Sequence, residues 1–478
     1  MGIRTGSEYV ASLRDGRTIF VNGERVKDVT TYPQFRGIIG TLASLYDLQH
    51  AHPDTLTYQS PTTGHPVAAS FLLATTVAEA EARIRSEEAR AEHTFGLMGR
   101  LPDFCNAMVT DIAAAADYLG RRNRRYTENA LSYYETCREN DWCLTHTLVD
   151  PQIDRSKGPA EQPDPFMALR LVRETDRGLV VRGAKMLSTL APFANEIWVG
   201  PFYPRRPGEE AYSLSFALPM DTPGMKFICR ETYDSGRAAF DRPLSSRFDE
   251  EDALAVFDDV EVPFERVFIN GDVEIFNGIL PRTPGYAMLQ AAIRGMVKLR
   301  FMAGLACHLA ETVGRTEAVH VQAQLGELVA NAELVAGLVR AAAQEVVLGA
   351  TRALPHRGLA ATLWVLIPQA QMRAAETLRQ VGGSGLIMTP TAKDFANPEI
   401  AGYLEKYLQG KGGVAARDRV ELFKLAWDMI GEPFGSRQLQ YEWFYSGDPY
   451  FTRARFYHSP VAREFKNMVS GLLKRDSH

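Results

Sequence analysis

Cysteine is scarce: five in 478 residues, at Cys105, Cys137, Cys143, Cys229 and Cys307, an odd number without a CxxC pair. That excludes a disulfide framework and a cysteine-based zinc site, and leaves reduced, mostly buried small side chains as the reading. Long hydrophobic runs are missing too. The longest apolar stretch, Gly358 to Ile367, is interrupted by Thr362 and stopped at Pro368, well short of the ~20 residues of a spanning helix. Nor is there an excess of one charge, since Lys+Arg 53 against Asp+Glu 58 leaves a net −5. No electrostatic footprint for a phosphate backbone follows, so neither nucleic acid nor a membrane is an expected partner. Met1 to Gly6 lacks the Ser or Thr at position 6 of a myristoylation signal, and no apolar secretory segment follows. A cytoplasmic address is therefore expected.

Common cofactor motifs are absent as well. Gly383-Ser384-Gly385 runs into Leu386, Ile387 and Met388, which leaves GxGxxG incomplete, and no strand leads into it. Gly410-Lys411-Gly412 has Glu405 where a phosphate loop needs its first glycine and no Ser or Thr after the lysine, so a surface turn is expected. His50 and His52 sit beside a proline without third and fourth ligands, and no metal site is expected.

What is present is an ordinary globular composition, 45% hydrophobic, 23% charged and 10% aromatic. Helical spacing dominates to about Cys143, as in Val77 to Ile84. From Thr145 to about Asn270 the texture changes to short runs rich in Val, Ile, Phe and Tyr: Leu179–Val181, Glu196–Val199, Ser213–Leu218, Lys226–Cys229 and Ala253–Phe257. Helical periods return in Met288–Leu309, Ala318–Leu348, Ala360–Val381 and a last run Ala415–Ile430, with a break at Gly382-Gly383-Ser384-Gly385. The expected class is α+β: a helical domain over residues 1–144, a β domain over 145–275 and a helical bundle with a tail over 276–478. A β module between two helical ones creates clefts of the kind cofactors occupy.

The densest polar constellation, Arg138 to Ser156, reads RENDWCLTHTLVDPQIDRS and falls at the first junction. On the residues alone it is either a capping and salt-bridge cluster or a site where hydroxyls flank an imidazole able to exchange a proton near neutral pH. It closely resembles the ENDxxLTHTLxxPQxDRS signature of the 4-hydroxyphenylacetate 3-monooxygenase family, the large oxygenase components of two-component flavin-dependent phenol hydroxylases. Other pieces agree in order: Thr94 to Arg100 followed by Pro102-Asp103, Gly183-Ala184-Lys185-Met186 leading to Ala191-Pro192, Gly382 to Leu386, and Tyr445-Ser446-Gly447-Asp448-Pro449. Val256 to Pro263 further resembles the FxDVxVP turn of the wider acyl-CoA dehydrogenase superfamily, whose helix, β, helix order is the one read above. His146-Thr147 stands where the dehydrogenases would run Glu-Pro, which argues for the oxygenase branch. An iron-sulfur dehydratase relative would need several cysteines where Arg100 and Phe104 stand.

The resemblance implies an FADH2-dependent aromatic monooxygenase in which a C4a-hydroperoxide formed from O2 transfers oxygen to the carbon ortho to a phenol, giving a catechol. It implies a separate NAD(P)H:flavin reductase as partner and a homotetramer. Arg100 and His146 match the positions that hold the phenolic oxygen. Thr145, His146, Thr147, Gln152, Arg155 and Thr189, with Ser188 as alternative to Thr189, match flavin contacts, and Ser446, Gly447, Asp448 and Pro449 match a turn against the flavin. The family usually has tyrosine where this chain has Phe104, and Gln290 stands nearest to a histidine base of some halophenol-processing relatives. The para substituent is thus open, with a tyrosine-like or cinnamate-like phenol, free or tethered to a carrier or coenzyme A, as the alternative to a simple phenol. A non-catalytic flavin-binding protein is the reading from another class.

Overall fold

Branched and aromatic side chains fit a pleated, half-buried surface, and the runs that carry them become strands. The computed structural model describes residues 2–344, 347–348, 353–354, 357–445 and 447–475. Four short strands come first: β1 (Ile19–Val21), β2 (Glu24–Val26), β3 (Thr57–Gln59) and β4 (Pro66–Ala68). Then follow β5 (Leu144–Thr147), β6 (Arg170–Glu174), β7 (Gly178–Thr189), β8 (Glu196–Val199), β9 (Leu214–Pro219), β10 (Met225–Cys229), β11 (Asp252–Pro263) and β12 (Val267–Asn270). The larger sheet has the order β2-β1-β10-β11-β7-β6 and the smaller β12-β9-β8-β5. Within these two sheets neighbours are antiparallel except β1 with β10 and β5 with β8, the latter placing His146 opposite Trp198. Phe216 of β9 meets Phe257 of β11 edge to face, with ring centroids 6.0 Å apart, so the two sheets share one buried core.

β7 and β11 do not run in simple register. Ala253 pairs with Ser188 and Ala255 with Lys185, so Met186 and Leu187 together oppose Leu254. Leu187 sits in this bulge with φ 61 and its side chain half exposed, while Ser188 and Lys185 on either side are buried.

Before residue 145 the expected helices are present: Arg36–Ala51, Val77–His93, Pro102–Ala114 and Arg125–Asn140. Val77–His93 opens on a capping box between Thr76 and Glu79. Pro102–Ala114 has proline at its first turn and is buried at nearly every position, its polar Asp103, Asn106, Thr110 and Asp111 included. β1 and β2 add strands to this mostly helical stretch. Strands of three residues carry too little alternation to be seen in sequence, and here they extend the larger sheet.

Contacts divide the chain into two units, Met1–Lys298 with Arg340–Arg357, and Leu299–Val339 with Gly358–His478. The helix Tyr286–Thr312 begins in the first and ends in the second. Two others, Val319–Gln344 and Arg357–Gly382, follow it. The expected run Ala318–Leu348 stops early: Val347 and Leu348 pair as a strand with Leu354 and Ala353. Arg357–Gly382 continues through Pro368 and breaks, as expected, at the glycines, with Gly383 at φ 54. In the second unit the ring of Phe423, on helix Ala416–Ile430, fills the space beside Gly385, and Arg379 donates to the Ile430 carbonyl at 2.7 Å. Ile430 is not the end of the helices. Pro433–Phe444, Pro449–Tyr457 and Pro460–Arg475 follow, each opened by a proline at its first position. The α+β class holds, and among the described residues no helix is long and apolar enough to cross a membrane.

Candidate active site

Phe95 and Gly96, both with positive φ, turn the chain away from helix Val77–His93 and toward helix Pro102–Ala114. A Cβ on Gly96 would lie 2.5 Å from the carbonyl oxygen of Arg294 and 2.6 Å from the Lys298 nitrogen, so only glycine lets this turn lie against helix Tyr286–Thr312. Arg294 answers by donating to the Gly96 carbonyl at 2.9 Å. Asp111, further along, accepts from the backbone N–H groups of Gly285, Tyr286 and Ala287 at 2.8, 2.9 and 3.1 Å, satisfying the first donors of that helix. These two anchors fix the short stretch between them, which carries Arg100 and Phe104.

The Arg100 guanidinium lies over the Phe104 ring, 4.3 Å from its centroid. Phe104 in turn lies 5.8 Å from the His146 ring at a tilt of 47°. His146 is 5% exposed, and among the described residues neither Nδ1 nor Nε2 has a hydrogen-bond partner. Burial, and then the positive charge of Arg100, hold its pKa well below the ordinary histidine value. It is therefore a neutral imidazole at pH 7, with one N–H and one lone pair both uncommitted. A buried polar group left unpaired costs about 1–3 kcal/mol, so two on one ring point to a ligand that completes them.

The strand carrying His146 is stapled to β7 by its neighbours. Thr145 donates to the Thr189 carbonyl at 2.6 Å and Thr147 to the Met186 carbonyl at 3.3 Å. Thr189 spends its own hydroxyl on Asp252 at 2.7 Å, whereas the fully buried Ser188 hydroxyl has no partner among the described residues. Of the other expected contacts, Gln152 and Arg155 are exposed and pair with each other in the loop after β5. Gly447, Asp448 and Pro449 belong to the second unit, where Asp448 caps helix Pro449–Tyr457 through the N–H groups of Tyr450 and Phe451. Ser446 lies outside the described residues.

Other buried polar residues carry no role assigned from sequence. Asp103 is buried beside Gln290, and burial raises its pKa while the nearby Arg90 and the Gln290 amide oppose that rise. Neither amide atom of Gln290 forms a well-aligned hydrogen bond among the described residues. Asp150 sits between the buried Lys185 and Arg205, at 2.8 and 2.7 Å. Burial works against its ionisation, but the two cations win and lower its pKa. Both Asp150 and Lys185 lie within quoted motifs, a signal that their charge alone supplied.

On an α+β scaffold, a neutral imidazole, an aromatic ring and a guanidinium meet in a buried place beside a strand end with an uncommitted hydroxyl, which defines an enzyme for an aromatic, proton-bearing compound. Models of the 4-hydroxyphenylacetate 3-hydroxylase N terminal and C terminal match residues 5–269 and 279–474. The chain is 39% identical over 477 residues to the 4-hydroxyphenylacetate 3-monooxygenase oxygenase component of Thermus thermophilus, covering 98% of this chain and 97% of that one. It is 37% identical over 457 residues to the oxygenase component of a Rhodococcus 4-nitrophenol 2-monooxygenase, covering 93% and 86%. It superposes with a TM-score of 0.94, at 39% identity and 99% coverage of both chains, on the crystal structure of the oxygenase component of 4-hydroxyphenylacetate 3-monooxygenase complexed with FAD and 4-hydroxyphenylacetate. The chain belongs to the 4-hydroxyphenylacetate 3-hydroxylase family.

Proposed function

We propose that this chain is the oxygenase component of a two-component, FADH2-dependent monooxygenase that hydroxylates a para-substituted phenol at the ortho carbon to give a catechol, with O2 as co-substrate. The observation that carries this reading is His146: buried, neutral and with both ring nitrogens uncommitted beside Arg100. Reduced flavin, delivered by a separate NAD(P)H:flavin reductase, supplies the oxygen-activating chemistry when bound. The protein's own task is to orient the ring, favour phenolate character and exclude water.

A phenol titrates near ~10 in water, so holding it toward phenolate needs a cation and a proton acceptor. Arg100 supplies the fixed positive charge and His146 the lone pair; negative charge arriving beside His146 raises its basicity and draws the proton to it. Phe104 packs against the substrate ring. The orphaned Ser188 hydroxyl fits a polar edge of the flavin better than that of Thr189, which is committed to Asp252. Thr145 and Thr147 keep acceptor capacity toward the same ring system, while Gln152 and Arg155 are its outer contacts. In this reading Arg100 and Phe104 from residues 1–144 and His146 from 145–275 hold the phenol, other residues of 145–275 the flavin, and 276–478 the assembly.

We place the protein in the cytoplasm, where the reductase has NAD(P)H, and as a homotetramer. Support for self-association is the last helix, Pro460–Arg475, whose Val461, Phe465, Met468, Val469 and Leu472 recur at helical spacing and are 48–77% exposed. The deciding experiment incubates the purified chain with chemically reduced FAD, O2 and a panel of phenols. Catechol formation supports the reading, as does dependence on added reductase when NADH and FAD replace reduced flavin. Tight flavin binding without any turnover would instead indicate a flavin-binding protein.

A further inference from the structure

Asp249-Glu250-Glu251-Asp252 leads into β11, and its first three residues are almost fully buried. Adjacent buried carboxylates repel unless each is answered. Arg230 answers three of them, Asp249 at 2.5 Å, Glu251 at 3.5 Å and Asp252 at 3.0 Å. Glu250 serves another element: its Oε1 accepts from the backbone N–H of Arg100 at 2.5 Å. The same run grips the opposite side with its backbone. The carbonyls of Glu250 and Glu251 accept from the Leu190 N–H at 3.1 and 3.0 Å, and Asp252 receives the Thr189 hydroxyl. Leu190 and Glu251 both hold left-handed backbone, φ 75 and 54, which side chains of their size keep only where the surroundings over-determine it.

We propose that Glu250 is a positioning residue that sets the place of Arg100 relative to the strand end at Ser188–Leu190. The inference rests on the phenol hydroxylase reading above. One short segment holds the backbone that bears the phenol-binding cation and the strand end assigned to the flavin, so the spacing between substrate and cofactor is fixed through it. A short charge-assisted bond to a backbone amide suits that task, because it constrains where the chain that bears Arg100 stands. Positioning matters steeply: displacement by about 1 Å costs on the order of a hundred-fold in rate.

The test uses the full chain with reduced FAD, O2 and whichever phenol it turns over. Glu250→Ala should raise the phenol KM about ten-fold and increase uncoupled peroxide release, with flavin affinity changed less than about two-fold. Glu250→Gln, whose side-chain oxygen still accepts, should restore most of the loss. In an Arg100→Ala background Glu250→Ala should add nothing, because its effect runs through Arg100. Loss of flavin affinity in parallel, an unchanged phenol KM, or a fully additive effect in that background would each overturn the proposal. If Glu250→Ala is insoluble, Glu250→Asp, one methylene too short, carries the same comparisons. A wild-type chain that makes no catechol counts against the functional reading; normal wild-type turnover with indifferent Glu250 variants counts against Glu250 alone.

Discussion

Phe104, proposed to pack against the substrate ring, stands where the resemblance led to the expectation of a tyrosine. Its ring lies 4.3 Å from the Arg100 guanidinium and 5.8 Å from the His146 ring, so a tyrosine there would bring a hydroxyl into the neighbourhood of both. Restoring one hydrogen bond is worth about 0.5–1.5 kcal/mol. Phe104→Tyr should therefore improve turnover of 4-hydroxyphenylacetate several-fold while leaving the preferred phenol unimproved. An equal gain on every phenol in the panel would show only a regained donor. His146 sets the pH dependence. Its proton affinity is depressed in the folded protein, so it stays neutral down through the ordinary histidine range and gains charge, losing its lone pair, only in more acidic solution. The acid limb of kcat/KM for the phenol should accordingly fall below about 6.5, the unperturbed histidine value; a limb at or above it, absent from His146→Ala, would contradict the assignment. Arg100, Phe104 and His146 could be proposed from sequence because each lies in or beside a short motif. Glu250 could not, since it belongs to no local pattern and reaches Arg100 by long-range folding, and Gln290 entered only through the resemblance.

Elements show the same division between local and long-range information. β7 to β11 announced themselves as short runs rich in branched and aromatic residues and the long helices through the 3.6-residue period, whereas β1 pairs with β10 far along the chain, the Leu187 bulge depends on β11, and β2 is the hairpin partner of β1. The three helices after Ile430 were signalled only by their opening prolines, which serve equally well in loops. Gly96 is the clearest case of an element boundary set by tertiary packing. Its positive φ and the backbone of helix Tyr286–Thr312 within 2.6 Å of a would-be Cβ leave no flexible neighbour to yield. Gly96→Ala should cost about 2–3 kcal/mol or more, read as a lower denaturation midpoint, and should raise the phenol KM because Arg100 lies four residues on. A variant as stable as wild type would mean that the turn relaxes freely.

For the whole molecule the exposed apolar stripe on Pro460–Arg475 is a feature that a single chain leaves uncovered among the described residues. Sedimentation at micromolar concentration should give a tetramer, and charge placed on the stripe, as in Phe465→Glu with Met468→Lys, should shift it to smaller species. A monomeric wild type would remove the stripe from any role in assembly. Oligomeric state was expected from resemblance alone, because surface pattern carries no record of symmetry. The uncommitted nitrogens of His146 and hydroxyl of Ser188 have a consequence for how the protein melts. Their desolvation is borne by the folded state, so a molecule that satisfies them binds the native fold and not the unfolded chain. At a hundred times its Kd such a ligand adds about 2.7 kcal/mol of stability. Heating the protein with reduced flavin and one phenol after another should therefore rank substrates by the rise in Tm before any oxygen is admitted, and the ring whose para group the pocket accommodates best is the one that holds the fold together longest.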